Sequence, residues 1–316
     1  MTSSLTDSLI VKRFEMLIKN KRLAHAYLFI GPQGIGKAET ALAVAGLTIG
    51  GSDEMIMKRI LSGNHPDVYM VQHGVEETTI SIDQIRDLIV RMQLKPFESE
   101  RKVCIIKNIE NLTTEAGNAL LKTLEEPTPH TLLILTTAVP ERNLGTIRSR
   151  CQAVYFFPLS KDKLAAQLKN DYAIEDSATR FLTFFSEGNS GKARRLKEDN
   201  FVARKNELID NILFQKNSDA FLKAILADKD QIKVMLDVLL SWFRDVLLLK
   251  AGDREENTVN ADRMKDIRQA AERYSFQELE NIIEQIVTTT QLLGDNLNVK
   301  IPVSLLRERI WVKSLR

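Results

Sequence analysis

Cysteine is nearly missing from this 316-residue chain; the only two are Cys104, between Val103 and Ile105, and Cys151, between Arg150 and Gln152. Two isolated cysteines build neither a disulfide framework nor a zinc site, which draws on three or four closely spaced ligands. They are expected to be buried free thiols in a reducing, cytoplasmic compartment. The histidines His25, His65, His73 and His130 are too scattered for a metal site, and His65, before Pro66, is expected to order a turn. Long apolar runs are also missing. None approaches the ~18 residues that span a bilayer, and Met1 to Asp7 is polar, without the features of a secretory signal. Nor does either sign of charge dominate. Lys plus Arg (44) nearly balances Asp plus Glu (42), for a net charge of +2. No bulk field therefore drives autonomous binding to nucleic acid, and any DNA contact must come from local patches or from an assembly. What remains is the composition of an ordinary globular protein, long enough for two or three domains.

The two halves of the chain read differently. From Ala26 to Val154, short β-rich runs alternate with helical stretches. The segments 26–30, 68–71, 102–106 and 131–136 are strand-length runs without polar alternation. Between them, 37–47, 81–89 (with Ser81 as N-cap) and 114–125 have helical spacing. Such a pattern predicts a parallel sheet covered on both faces. Beyond Leu159 the strand signals vanish. Helices are expected at 161–169 and 177–186, with a tight break at Gly188–Gly191 before a third. Long amphipathic helices are expected at 234–250, 261–274, 276–293 and 302–315, with 251–260 a polar loop. Leu236, Leu239, Leu240 and Phe243 read mostly as core, with part of one face left for neighbouring subunits. Lys192, Arg194, Arg195 and Lys197 read as a solvated helix face rather than a DNA contact.

One motif carries phosphate chemistry. Gly31-Pro32-Gln33-Gly34-Ile35-Gly36-Lys37 follows an apolar strand and opens a helix. This is the context in which loop amides cradle phosphates and a lysine reaches the terminal ones. Gly31, Gly34, Gly36 and Lys37 are the candidate nucleotide-binding residues. The magnesium determinants, however, are missing. The hydroxyl that normally follows the lysine is replaced by Ala38, and Thr40 lies on another face of the helix. The strand at 103–106 ends in Lys107 and Asn108, where an active ATPase places acidic residues, so the local charge is reversed. Glu110 lies past the strand end and reads as a solvated first-turn residue. No metal is expected in this pocket. It is read as inactive in hydrolysis and at most a weak site for ATP or ADP.

Several further stretches carry a resemblance. Residues 118–127, Asn-Ala-Leu-Leu-Lys-Thr-Leu-Glu-Glu-Pro, resemble the signature of bacterial clamp-loader AAA+ subunits, and Ser149-Arg150-Cys151 is similar to that family's Ser-Arg-Cys motif. Residues 22–29, His65-Pro66-Asp67, 82–86 and 242–248 resemble the delta-prime branch of DNA polymerase III clamp loaders. The resemblance implies three domains: a RecA-like AAA+ domain (1–158), a small helical lid (159–200) and an all-α collar that assembles the oligomer (201–316). It also implies a hetero-pentameric ring with gamma/tau-type motor and delta-type subunits, which places a sliding clamp on primer–template DNA. In that ring the delta-prime member is a non-hydrolysing stator. It lends the arginine of its Ser-Arg-Cys motif, here Arg150, to the ATP held by a neighbouring motor; Arg148 is the alternative finger. A guanidinium suits that role on its own chemistry, being permanently charged and fork-shaped. The same resemblance places a phosphate-sensing lid arginine of active motors at Gly191, beside Lys192. Many relatives carry a four-cysteine zinc module between the first helix and the His-Pro-Asp segment; 50–64 has no cysteine, so no zinc is expected. The rival readings are an ATP-hydrolysing AAA+ motor and a small-molecule P-loop kinase. The kinase leaves the Ser-Arg-Cys motif and the helical C-terminal third unexplained.

Overall fold

Strands that are apolar on both faces have to be covered on both, and the chain supplies the cover with helices. The computed structural model describes residues 8–50, 53–74, 77–139, 145–214, 219–295 and 297–314. Met1 to Asp7 and Leu315, to which the sequence reading extends, lie outside these residues. Strands β1 (Ala26–Ile30), β2 (Val68–Val71), β3 (Lys102–Ile106), β4 (Thr131–Thr137) and β5 (Gln152–Tyr155) form one parallel sheet in the order β2-β3-β4-β1-β5. Alternate residues point to opposite faces. On one side Tyr27, Phe29, Val103, Ile105 and Ile134 meet Phe14 of helix α1 (Ser8–Lys19), Val44 of α2 (Lys37–Ile49) and Ile60 of α3 (Glu54–Leu61). On the other side Leu28, Cys104, Ile106, Leu133 and Leu135 meet Ile85 and Leu88 of α4 (Ile82–Gln93) and Leu120 and Leu124 of α5 (Thr114–Glu125). The short helix α6 (Gly145–Arg148) adds Ile147 to this face.

The four expected strands are found, and Ser81 caps α4 in a reciprocal capping box with Gln84. Several elements go beyond the sequence reading, β5, α1 and α3 among them. Edge strand β5 buries only Val154, so it lacks the continuous apolar run of the central strands. The helices α1 and α3 each present a narrow apolar stripe, while Leu9, Met16, Met55 and Leu61 face outward. One expectation needs correction. Cys104 is buried, but Cys151 is only half-buried, because it sits in the turn between α6 and the thinly covered edge strand. Burial nonetheless pushes both thiols up to about 12, far from reactive thiolates.

A second compact unit comprises residues 161–188 and 193–316; residues 189–192 group with the first. Its helices are α7 (Lys161–Tyr172), α8 (Asp176–Ser186), α9 (Ser190–Glu198), α10 (Phe201–Ile209), α11 (Asp219–Ile225), α12 (Lys229–Lys250), α13 (Met264–Arg273), α14 (Phe276–Gly294) and α15 (Lys300–Ser314). The segments expected as lid and collar share one continuous core, which runs from Leu164 and Phe181 through Leu236, Leu239, Trp242 and Phe243 to Ile282 and Ile310. Leu240 is partly buried against it. Two buried charges organise this unit. Lys205 of α10, fully buried, donates to both carboxylate oxygens of Asp262 at 2.6 and 2.7 Å and lies 4.8 Å from the Phe181 ring centre. Asp245 of α12 accepts from the backbone N–H groups of Val259 and Asn260 at 2.9 and 2.7 Å, so one end of the 251–260 loop is pinned into the core. The exposed residues Lys192, Arg195 and Lys197 fit the solvated face expected of α9, where Arg194 pairs with Glu198.

Candidate functional site

Strand order brings the candidate nucleotide-pocket residues to one edge. Because β1 lies between β4 and β5, the loop that leaves it opens at the C-terminal edge of the sheet, next to the ends of β3 and β4. Residues 31–36 run from β1 into α2 with Gly34 and Gly36 at φ 82° and 99°, in the left-handed region that side chains resist. Gly31 is required for a different reason: a Cβ there would lie 2.7 Å from the Phe156 carbonyl oxygen. The shape expected of a phosphate loop is therefore present.

Lys37 opens α2, buried to 5% exposure. Its Nζ donates to the carbonyl oxygens of Gly31 and Pro32 at 2.6 and 2.8 Å, so the ammonium is folded onto the loop that precedes it. Burial lowers its pKa to about 8, against the opposing pull of Glu110 and Glu39. Asn189 donates from Nδ2 to the Gln33 carbonyl at 2.7 Å, and Gly191 packs so closely that an added Cβ would lie 1.9 Å from the Gly34 oxygen. An arginine cannot occupy position 191 unless this backbone shifts.

The magnesium side of the pocket does not fit the ion. Ala38 offers a methyl group. At the end of β3, Lys107 places an ammonium, donating to Gln72 Oε1 at 2.9 Å, where acidic oxygens would be needed. Asn108 takes the left-handed conformation at φ 54°, and its backbone N–H donates to the Thr136 hydroxyl. That turn reverses the reading of Glu110. It is not a solvated side chain: Oε1 accepts from the Ala138 backbone at 3.0 Å, and Oε2 is buried without a hydrogen-bond partner among the described residues. The single 3-10 turn at Ile109–Asn111 folds it back toward the ends of β3 and β4. Among the described residues no group of three or more His, Cys, Asp or Glu side chains is placed to hold a metal ion.

Arg150 lies apart from this pocket, in the turn between α6 and β5. Its guanidinium donates through one terminal nitrogen to the Thr146 carbonyl at 2.9 Å and the Ser149 hydroxyl at 3.2 Å, and through the other to Glu125 Oε1 at 2.6 Å. The side chain is one-third exposed, and Glu125 closes α5. Arg148 points elsewhere, to the Tyr155 hydroxyl at 2.9 Å. Sequence reading named Arg150 but missed Glu125, although it lies within the 118–127 signature. Asp67 was named only as part of His65-Pro66-Asp67, without the role its carboxylate plays in accepting the backbone N–H groups of Phe97, Glu98 and Ser99 at 2.7 to 2.9 Å. His65 does order its turn, with Nδ1 accepting from the Asp67 backbone.

Residues 6–160 match the family described as DNA polymerase III, delta subunit, and residues 199–305 match its C-terminal model. The delta-prime subunit of DNA polymerase III from Bacillus subtilis is 31% identical over 306 residues, 92% of either chain. The chain belongs to the DNA polymerase III delta-prime family. The tau subunit of DNA polymerase III from Bacillus subtilis is 27% identical over 313 residues, 87% of this chain and 55% of that one. The delta-prime fold likewise aligns with a crystal structure of a DNA polymerase III gamma subunit-related protein from Thermotoga maritima. The TM-score is 0.50 at 19% identity, covering 96% of this chain and 99% of that one. In this delta-prime subunit no helix among the described residues is long and apolar enough to cross a membrane.

Proposed function

We propose that this delta-prime-type clamp-loader subunit of DNA polymerase III works as a non-hydrolysing stator, lending Arg150 to the ATP site of a neighbouring motor subunit. The observation that carries the reading is the pair of side chains at the magnesium position: a methyl at Ala38 and an ammonium at Lys107. Phosphoryl transfer relies on metal ions to neutralise charge on the transferred group. A pocket that repels the cation forgoes that stabilisation, so the useful chemistry is an arginine offered outward. The partly exposed guanidinium of Arg150 suits phosphate oxygens, and such a finger supplied in trans is worth roughly 10³–10⁵ in rate. Its partners would be gamma/tau-type motor and delta-type subunits in a five-membered ring, joined through the helical region 201–316, with the clamp and primer–template DNA met through the complex. Nucleotide would bind weakly through the loop amides and Lys37, and no zinc is needed.

The test is DNA-stimulated ATPase of a reconstituted loader carrying Arg150→Ala. Assembly is expected to persist while turnover at the completed site falls at least 100-fold; normal turnover refutes the finger role. A second reading, an ATP-hydrolysing motor, draws on the intact phosphate-loop shape and the similarity to the tau subunit. Phosphate release by the purified chain alone, abolished by Lys37→Ala, would favour it.

A further inference from the structure

We propose that Glu125 is the positioning residue of Arg150, the carboxylate that holds the guanidinium fork in the orientation presented to the neighbour's phosphates. The proposal deepens the finger reading and rests on it. An acidic side chain at the end of a helix faces the negative pole of the helix dipole, an unfavourable place for a carboxylate. Helix α5 nevertheless ends in Glu125, followed by Glu126. Local helix stability gives no reason for Glu125. Its contact with Arg150 does.

The geometry shows what that contact achieves. Leu120 and Leu124 anchor α5 in the core under the sheet, so Glu125 projects one residue beyond a fixed point. Arg150 sits on a short turn whose backbone is held by the Arg150 N–H to the Ile147 carbonyl. A guanidinium has five N–H donors. Two are used locally, on Thr146 and Ser149, and these alone leave the fork free to pivot about one nitrogen. The bond from the second terminal nitrogen to Glu125 fixes the plane. The remaining two donors, on Nε and the second terminal nitrogen, have no acceptor among the described residues and are available to phosphate oxygens. Glu125 thus sets the orientation while leaving part of the fork to be shared.

A loader reconstituted with its motor subunits, clamp and primer–template DNA tests this through kcat and KM for ATP. The delta-prime variants are Glu125→Ala, Glu125→Gln, Arg150→Ala and the Glu125→Ala/Arg150→Ala pair, with co-elution of each checked first. Misorientation of a reacting group costs up to about 100-fold, and exposed ion pairs are individually weak, so a loss of roughly ten-fold is expected for Glu125→Ala. That loss should fall on kcat, with KM changed less than about two-fold. Glu125→Gln keeps an acceptor oxygen and should retain at least about half of kcat. The double variant should be no slower than Arg150→Ala alone, because an absent side chain needs no positioning. Wild-type kcat in Glu125→Ala, a loss shifted into KM or assembly, no rescue by glutamine, or a double variant slower than Arg150→Ala each overturns the proposal. If Arg150→Ala itself turns over normally, the finger reading falls and the proposal with it. Impaired Arg150→Ala beside unaffected Glu125→Ala removes Glu125 alone.

Discussion

Replacing Lys37 with methionine isolates the energetics of the degenerate pocket. The buried ammonium has its pKa lowered from 10.5 to about 8. At about 1.4 kcal/mol per unit, holding the charged form inside the folded chain costs about 3 kcal/mol at pH 7. Against this stand the two bonds to the Gly31 and Pro32 carbonyls, worth about 1–1.5 kcal/mol each. The two contributions nearly cancel. Lys37→Met is therefore expected to change unfolding free energy by less than about 1 kcal/mol at pH 7. The pH dependence has a definite sign. Between pH 8 and 10.5 the unfolded lysine binds more protons than the folded one, so wild-type stability rises with pH across that window. The methionine variant lacks this rise. Wild type should gain about 2–3 kcal/mol on the variant between pH 7 and pH 10 in urea melts. A gap that stays constant with pH, or a loss above 3 kcal/mol at pH 7, would refute the reasoning. The same balance bears on nucleotide. A phosphate would have to draw Lys37 away from two short hydrogen bonds, and under the proposed stator role Lys37→Ala should leave clamp loading nearly unchanged in the reconstituted complex.

Lys205→Met should destabilise the helical unit by about 2–4 kcal/mol in urea unfolding, because it strands Asp262 at the edge of the core; a loss under 1 kcal/mol would show the pair to be dispensable. Asp67→Asn removes a carboxylate that accepts three backbone amides, which outweigh burial and hold its pKa below the usual carboxylate value. The expected cost is about 1–2 kcal/mol at pH 7. Since a depressed folded pKa contributes stability that is present above about pH 4 and lost as pH falls through the folded value, the gap to wild type should close in acid. A gap that widened in acid would contradict it.

Most of the central sheet was legible because its strands are continuous apolar runs punctuated by glycine and proline, and the period of an element follows from local chemistry alone. Edge strand β5 escaped because only Val154 is buried, and half-covered strands carry a weaker signal. The glycine pattern of the phosphate loop was readable for a similar reason, as were Ala38 and Lys107 beside it, since such residues are recognised by what they are rather than by what they touch. Arg150 was legible as a motif, but its holder was not: Glu125 is 25 residues away, and only packing brings the two to 2.6 Å.

Side-chain type along the chain thus determines that Ala38 and Lys107 stand where a phosphate-loop ATPase places a hydroxyl and an acidic group, and that Arg150 stands in a Ser-Arg-Cys triplet. Tertiary structure alone decided where those groups face. Folding buries Lys37 against its own loop, turns Glu110 inward through the left-handed Asn108, and ties Arg150 to the end of α5. The physical reason is that hydrogen-bond partners and desolvation are set by neighbours distant in sequence, and a one-dimensional pattern records the identity of a group but not its surroundings.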